Sequence, residues 1–205
     1  MTVLIKIIPF ISSFAIGGIP TGYLLVKLLK KRDVRDYGSG NIGATNVFRT
    51  EGILLGSTVL VIDAGKAFAA AYFLSCFFTS VPFFRLLLGI TTIAGNIFTP
   101  FLKFKGGKGV SAGLGVAIAL NPAATAISLG AFAVAVAITR YVSVGSISAV
   151  TAFLISTSLF FVYGHTSVYP LLFAILIFIV IIIRHISNIK RLIHGEENKI
   201  GKGKK

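Results

Sequence analysis

Between Gly38 and Asn46 the chain reads Gly38-Ser39-Gly40-Asn41-Ile42-Gly43-Ala44-Thr45-Asn46, followed by Val47-Phe48-Arg49. Glycine tolerates positive φ and lets a backbone approach a ligand closely, so Gly38, Gly40 and Gly43 could turn successive N–H groups toward an oxyanion, with Arg49 as a charged clamp. That is the chemistry of a phosphate cradle. The plain alternative is a polar turn between two membrane helices. A second stretch, Lys103-Phe104-Lys105-Gly106-Gly107-Lys108-Gly109-Val110, leads straight into an apolar helix pattern. A helix N-terminus presents unpaired N–H groups and a partial positive charge, and Lys108 adds a full one, so this too is an anion site in type. It lacks the four-residue spacer and the Gly-Lys-Ser/Thr ending of a nucleotide-binding P-loop, which argues against nucleotide hydrolysis.

A third polar group, Arg184-His185-Ile186-Ser187-Asn188-Ile189-Lys190-Arg191, lies at the inner end of the last apolar run. On one helix His185 and Asn188 stand at i and i+3 and share a face; an interfacial histidine also serves commonly as a solvated or capping residue. Ser143 and Ser146, in Arg140 to Ser146, either line a site or cap a helix. Asp63 and Lys66, again at i and i+3, interrupt an apolar stretch; ionisable residues in a membrane are costly and point to function, or to a self-neutralising structural pair. The three histidines are scattered without nearby acids, and Cys76 is the single cysteine, so neither a zinc site nor a disulfide is expected.

The elements that must position these residues are membrane helices. Apolar residues make up 55% of the 205 and charged residues 13%, about half the charge of a soluble domain, with a mean hydropathy of +0.91. The formal net charge of +14 would suggest nucleic acid in a soluble chain. Here every Lys and Arg except Lys6, Lys66 and Arg85 lies in 27–49, 103–108, at 140, or in 184–205, at the ends of apolar runs where positive-inside bias and anionic lipid place cations. No nucleic-acid partner is expected.

With about 20 residues per span, spans fall at Val3 to Leu29, Ile53 to Phe78, Phe83 to Phe101, Val144 to Val162 and Tyr169 to Ile183. The stretch Val110 to Thr139 is too long for one upright span. A break at Asn121-Pro122 makes it two passes and puts all four basic segments on one side of the membrane. The expected fold is therefore all-α, a single transmembrane domain over residues 1–205 with about seven helices, a basic tail from about 186, the N-terminus outside and the C-terminus cytoplasmic. The helix Val110 to Leu120 is short and needs shelter or tilt. Outer turns fall at Thr79 to Pro82, Asn121-Pro122 and Gly164 to Val168, and Gly17, Gly18, Gly22, Gly113 and Gly115 suggest close helix contacts.

Ser39-Gly40-Asn41-Ile42-Gly43-Ala44-Thr45-Asn46-Val47-Phe48-Arg49, then Phe104-Lys105-Gly106-Gly107-Lys108-Gly109-Val110, then His185 with Asn188-Ile189-Lys190-Arg191-Leu192, occur in the order and topological setting of one family. Over nearly its whole length the chain resembles the bacterial membrane glycerol-3-phosphate acyltransferases that use acyl phosphate as donor. Gly22-Tyr23, Asp63 to Lys66 and Tyr141 to Gly145 add to the likeness. Two positions depart from the usual pattern: Gly95-Asn96 stands where the family usually has Gly-His, and Gly18 where it usually has Ser. The resemblance implies transfer of a fatty acyl group from acyl phosphate to the 1-hydroxyl of glycerol-3-phosphate, giving lysophosphatidic acid and phosphate. That is the first acylation step of phospholipid synthesis, at the bacterial cytoplasmic (inner) membrane with the active site facing the cytoplasm. It implies no cofactor, no metal and no acyl-CoA, and leaves any protein partner unknown. It also implies catalytic roles for Ser39, Lys108, His185 and Asn188, and substrate phosphate binding by Gly40, Asn41, Gly43, Thr45, Asn46, Arg49, Lys105, Gly106, Gly107, Gly109 and Ser143.

Acyl phosphate is an activated mixed anhydride, so catalysis needs mainly an oriented hydroxyl, a stabilised oxyanion and a route for one proton, to His185 or to a substrate phosphate oxygen. No histidine has Asp five residues on, which removes the His-x4-Asp signature of acyl-CoA-using acyltransferases. The rival class is a carrier for a phosphorylated solute, which also uses basic loops and broken helices but usually carries a detectable repeat. The topology is tested by cysteines introduced at Lys31 or Lys204 in a Cys76→Ser background. An impermeant thiol reagent added outside intact cells should leave both unlabelled, and labelling of either would reverse the orientation.

Overall fold

The structure, a computed structural model, describes residues 3–78 and 81–200. Thr79 and Ser80 of the expected outer turn, and the basic end from 201, lie outside the described residues. The described residues form ten α-helices and two 3-10 turns, with no strand. They pack as two compact units, one up to Leu120 and one from Asn121.

In the first unit the expected single span Val3 to Leu29 is two helices, α1 (Val3–Gly18) and α2 (Thr21–Lys30), bent by 43°. Pro20 explains it, since its ring removes a backbone N–H and clashes with the preceding turn. Pro20 has φ −84° and ψ 74°, and the Thr21 N–H donates to the Ile19 carbonyl at 3.0 Å, the geometry of an inverse γ-turn. Next come α3 (Ala44–Glu51), α4 (Ile53–Ser75), α5 (Val81–Ile97) and α6 (Val110–Leu120). α4 is packed by α1, α3, α5 and α6, and α5 by α1 and α6. Glycines set these distances: a Cβ at Gly17 would lie 2.0 Å from the Thr92 carbonyl oxygen, at Gly95 2.1 Å from that of Phe14, and at Gly115 2.0 Å from that of Ala64. Helix backbones therefore touch, the usual means of association where no hydrophobic drive between helices exists. Beneath the first glycine loop Val26, Val34, Ile42, Ala44, Val47, Val59 and Leu102 form a buried apolar cluster.

In the second unit Asn121 and Pro122 break the helix as expected. Asn121 Oδ1 accepts from Ala124 N at 3.1 Å and Pro122 occupies the first turn of α7 (Pro122–Thr139). α7 pairs with α8 (Val142–Val162), and α8 with α9 (Val168–Arg184). A short α10 (Ile186–Ile193) follows at a 53° bend. Beyond it the chain turns through Gly195, with φ 72°, and comes back so that Ile200 N donates to the Arg140 carbonyl at 2.9 Å. Among the described residues four helices, α4, α5, α7 and α8, are long and apolar enough to cross a membrane, and the bent pairs α1/α2 and α9/α10, if each is one span, raise this to six. α6, the remaining one of the seven passes expected from the sequence, has 11 residues and a length of about 16 Å at 1.5 Å per residue, too short to be counted among them by length.

Gly115→Val should push α6 off the Ala64 carbonyl. Over-packing of this kind costs about 1 to 3 kcal/mol and should lower the melting temperature of the detergent-solubilised protein. Gly130→Ala, where nothing lies within 4 Å of the added Cβ, serves as the control. Equal melting of the two variants would contradict the contact.

Candidate active site

The first glycine loop hangs between α2 and α3 and is closed by two side chains. Arg32 forks onto Glu51 at 2.7 and 2.8 Å and stacks on the Tyr37 ring, tying the start of the loop to the end of α3. Asn46, 1% exposed, is the centre of the loop. Its Oδ1 accepts from Ser39 N at 2.8 Å and Ser39 Oγ at 3.2 Å, and its Nδ2 donates to the carbonyls of Val34 at 3.2 Å and Tyr37 at 3.0 Å. Gly38 and Gly40 take φ of 62° and 69°, a region that favours glycine, and a Cβ at Gly38 would stand only 2.3 Å from Asn46 Oδ1. Gly40 N donates to the Tyr37 carbonyl at 3.1 Å, and Gly43 N to Asn41 Oδ1 at 2.8 Å.

The N–H groups of Ser39, Gly40 and Gly43 are thus used inside the loop. The expected row of glycine donors is not how this loop is made; its glycines shape it, and it leads into the first turn of α3, where the leading N–H groups of a helix have no intrahelical acceptor. Thr45 and Arg49, both half-buried, are four residues apart on that helix and so share a face. Ser39 is exposed, and its hydroxyl, donating to Asn46, presents its lone pairs outward. Before the loop, exposed Arg35 grips Asp33 through three hydrogen bonds of 2.6 to 3.1 Å, and this holds the Asp33 carboxyl below its usual range. The associated stabilisation is complete above an unfolded carboxylate value of about 3.9 and is lost as pH falls through the lower folded value; solvent screening keeps it small.

The second glycine loop descends from α5. Lys103 and Phe104 take positive φ, 53° and 61°. Gly106 N donates to the Ile97 carbonyl and Gly107 N to the Asn96 carbonyl, each at 3.0 Å. A Cβ at Gly106 would lie 2.2 Å from the Asn96 carbonyl oxygen. Here too the glycines serve close approach, and the outward donors belong to the N-terminus of α6. Lys108 is half-buried between buried Gly107 and Gly109, whose φ is 83°, whereas Lys105 is exposed.

In the second unit the chain bends at His185, so His185 and Asn188 do not share one continuous helix. His185 is the junction between α9 and α10, with φ −105° and ψ 3°, and Asn188 lies in the first turn of α10. Both are buried, at 3% exposure. His185 Nδ1 lies 2.8 Å from the Ile181 carbonyl. A carbonyl only accepts, so Nδ1 carries a hydrogen. Glu197, which the sequence reading passed over inside a basic tail, is buried beside them. Its Oε1 accepts from Asn188 Nδ2 at 2.8 Å and Ser143 Oγ at 3.2 Å, and its Oε2 pairs with Arg191 Nε at 2.8 Å. Ser143 is therefore bonded to a carboxylate and caps no helix. Gly195 before Glu196-Glu197 at the end of α10 was the available signal, because a left-handed glycine at a helix end turns the chain back.

A family model described as glycerol-3-phosphate acyltransferase matches residues 7–195. The chain belongs to the glycerol-3-phosphate acyltransferase family. The glycerol-3-phosphate acyltransferase of Endomicrobium trichonymphae is 44% identical over 197 residues, 96% of each chain, and that of Prochlorococcus marinus (strain MIT 9515) is 41% identical over 194 residues, 95% of this chain and 96% of the relative. Among solved structures, the integral membrane glycerol 3-phosphate acyltransferase PlsY superposes in its glycerol 3-phosphate form with a TM-score of 0.86 at 35% identity, and in its lysophosphatidic acid form with 0.83 at 34%. Each match covers 95% of both chains. This acyltransferase is accordingly an all-helical integral membrane enzyme of phospholipid synthesis.

Asn46→Asp should disorganise the first loop of this acyltransferase. It exchanges the Nδ2 group and its two N–H donors for one carboxylate oxygen facing the Val34 and Tyr37 carbonyls, and each buried group left unsatisfied costs about 1 to 3 kcal/mol. Faster proteolysis between 37 and 46 together with loss of acyltransferase activity is expected. An intact loop in the variant would contradict this frame.

Proposed function

We propose that this acyltransferase takes its acyl group from acyl phosphate and delivers it to the 1-hydroxyl of glycerol-3-phosphate, at the cytoplasmic face of a bacterial inner membrane. The observation that carries the reading is that both glycine loops run into the start of a helix with a cation close by: Thr45 stands in the first turn of α3 with Arg49 one turn further on the same face, and Lys108 stands two residues before α6. Helix N-termini and adjacent cations suit phosphate oxygens, and both proposed substrates are phosphates. Lys108, Thr45 and Arg49 bind the phosphates directly; Gly106, Gly107, Gly109, Gly40, Gly43, Asn41 and Asn46 hold the loops that bring them there. Lys105 adds charge at the loop surface. Ser39, exposed at the edge of the first loop, offers its hydroxyl to the reacting groups.

In the reaction the O1 oxygen of glycerol-3-phosphate attacks the acyl carbonyl carbon, the bond from that carbon to the phosphate oxygen breaks, and phosphate leaves with the electron pair. The hydroxyl proton goes to a phosphate oxygen, already anionic and next to the reacting carbon. His185 and Asn188 orient the acceptor, and Ser143 with Glu197 hold Asn188 in place.

Purified protein in detergent, given acyl phosphate and labelled glycerol-3-phosphate, should form lysophosphatidic acid, and acyl-CoA in its place should form none. Product from acyl-CoA alone would overturn the donor assignment. His185→Gln should keep much of the activity, since an amide hydrogen-bonds but is no base near neutral pH. A folded His185→Gln protein that binds glycerol-3-phosphate but loses about a hundredfold or more in rate would make His185 the general base.

A further inference from the structure

Asp63 and Lys66 lie near the middle of the 23-residue α4, with side chains 7% and 10% exposed. Their ion pair is 2.7 Å long. A pair whose task ended with its own neutralisation would need no third partner. Here the Lys66 ammonium also donates to the Ile19 carbonyl at 2.5 Å and to Thr21 Oγ1 at 3.3 Å, and Thr21 Oγ1 donates to Asp63 Oδ1 at 2.7 Å. The pair therefore holds both ends of the γ-turn at Pro20, its first carbonyl and its last side chain. The residue after Thr21 is Gly22, where a Cβ would stand 2.0 Å from the Ile42 carbonyl oxygen of the first glycine loop. With that little clearance, a shift of the turn moves the loop.

We propose that Lys66 and Asp63 are positioning residues for acyl transfer: they clamp the turn Ile19–Thr21, and through Gly22 they fix the first glycine loop. The kinetic consequence rests on that loop serving the substrates, while the structural consequence does not. A gap or a hinge in the middle of a span would let Gly22 withdraw from Ile42, and the loop hydrogen bonds of Ser39 N and Gly43 N would open more often.

The test uses full-length protein carrying Asp63→Leu and Lys66→Met together. Exchanging both members of a buried pair for apolar residues strands no charge, so this variant should insert and fold like the wild type. Hydrogen exchange of the amides in residues 38–47 should quicken by about tenfold or more, and kcat/KM for glycerol-3-phosphate should fall by about tenfold or more, at unchanged folded yield. Thr21→Val, which keeps the ion pair and removes only the hydroxyl, should move both readings in the same direction, and Thr21→Ser should restore them. Wild-type exchange in the loop of either the double variant or Thr21→Val overturns the clamp. If the wild-type protein fails to use acyl phosphate, the donor assignment falls and loop exchange still decides the clamp.

Discussion

Away from water, a backbone carbonyl that loses its helical donor has to find another, and the first span of this chain loses donors in its middle. Pro20 cannot donate and the helix restarts only at Thr21. Two carbonyls at the break are met from elsewhere in the first unit: that of Gly18 by Thr99 Oγ1 at 2.5 Å, and that of Ile19 by Lys66. Thr99 then uses its own carbonyl to accept from Leu102 N at 3.3 Å and Phe104 N at 2.9 Å, which starts the descent into the second glycine loop. The break, and not either loop, is thus the reference point of the unit. One side of it supports the first loop through Gly22, and the other is joined to the second through Thr99.

Glycine has a different task at each level of this structure. Within the spans it removes a side chain so that backbones meet, as at Gly17 on Thr92 and Gly115 on Ala64. In the loops it lets the chain turn at Gly38 and Gly40, or press against a helix end at Gly106. In neither loop do the glycine N–H groups of Gly40, Gly43, Gly106 or Gly107 point away as free donors; each is bonded to a carbonyl or an amide oxygen of its own surroundings. That accounting follows from the cost of an unpaired N–H at a membrane interface. On the function proposed above, anion recognition then falls to helix N-termini and to cations, groups that need a rigid support more than they need flexibility.

Much of this was legible from residue order. The short α6, the break at Asn121-Pro122 and the spans from Ile53 onward follow from hydropathy and proline placement. What was missed shares one cause: hydropathy averages over a window and is blind to a single bond. Ile19-Pro20 sits inside a run apolar on both sides, so the run reads as one span although its backbone cannot continue. His185 follows a long apolar run closed by Arg184 and reads as helical, although the helix axis turns there. Glu197, between Glu196 and Asn198 in a tail rich in lysine, reads as solvated. Its burial comes from Ser143, 54 positions earlier, and from Asn188 and Arg191 on α10, partners that no local pattern announces.

The shortness of α6 has a physical rationale in the same terms. A helix that crossed the whole bilayer would place its N-terminus at the headgroups, where water competes for its N–H groups and screens its dipole. A helix of 11 residues can start deeper, where the same partial charge acts through a lower dielectric and attracts an oxyanion more strongly. The difficulty is the polar chain that must then reach that depth. Here the descending segment docks on the end of α5, with Gly106 and Gly107 bonded to the carbonyls of Ile97 and Asn96. Those carbonyls are the orphans that every helix C-terminus leaves. One helix end therefore holds the loop that carries the chain to the start of the next, and Lys108 arrives beside the N-terminus of α6 on backbone whose Gly106 and Gly107 N–H groups are already paired.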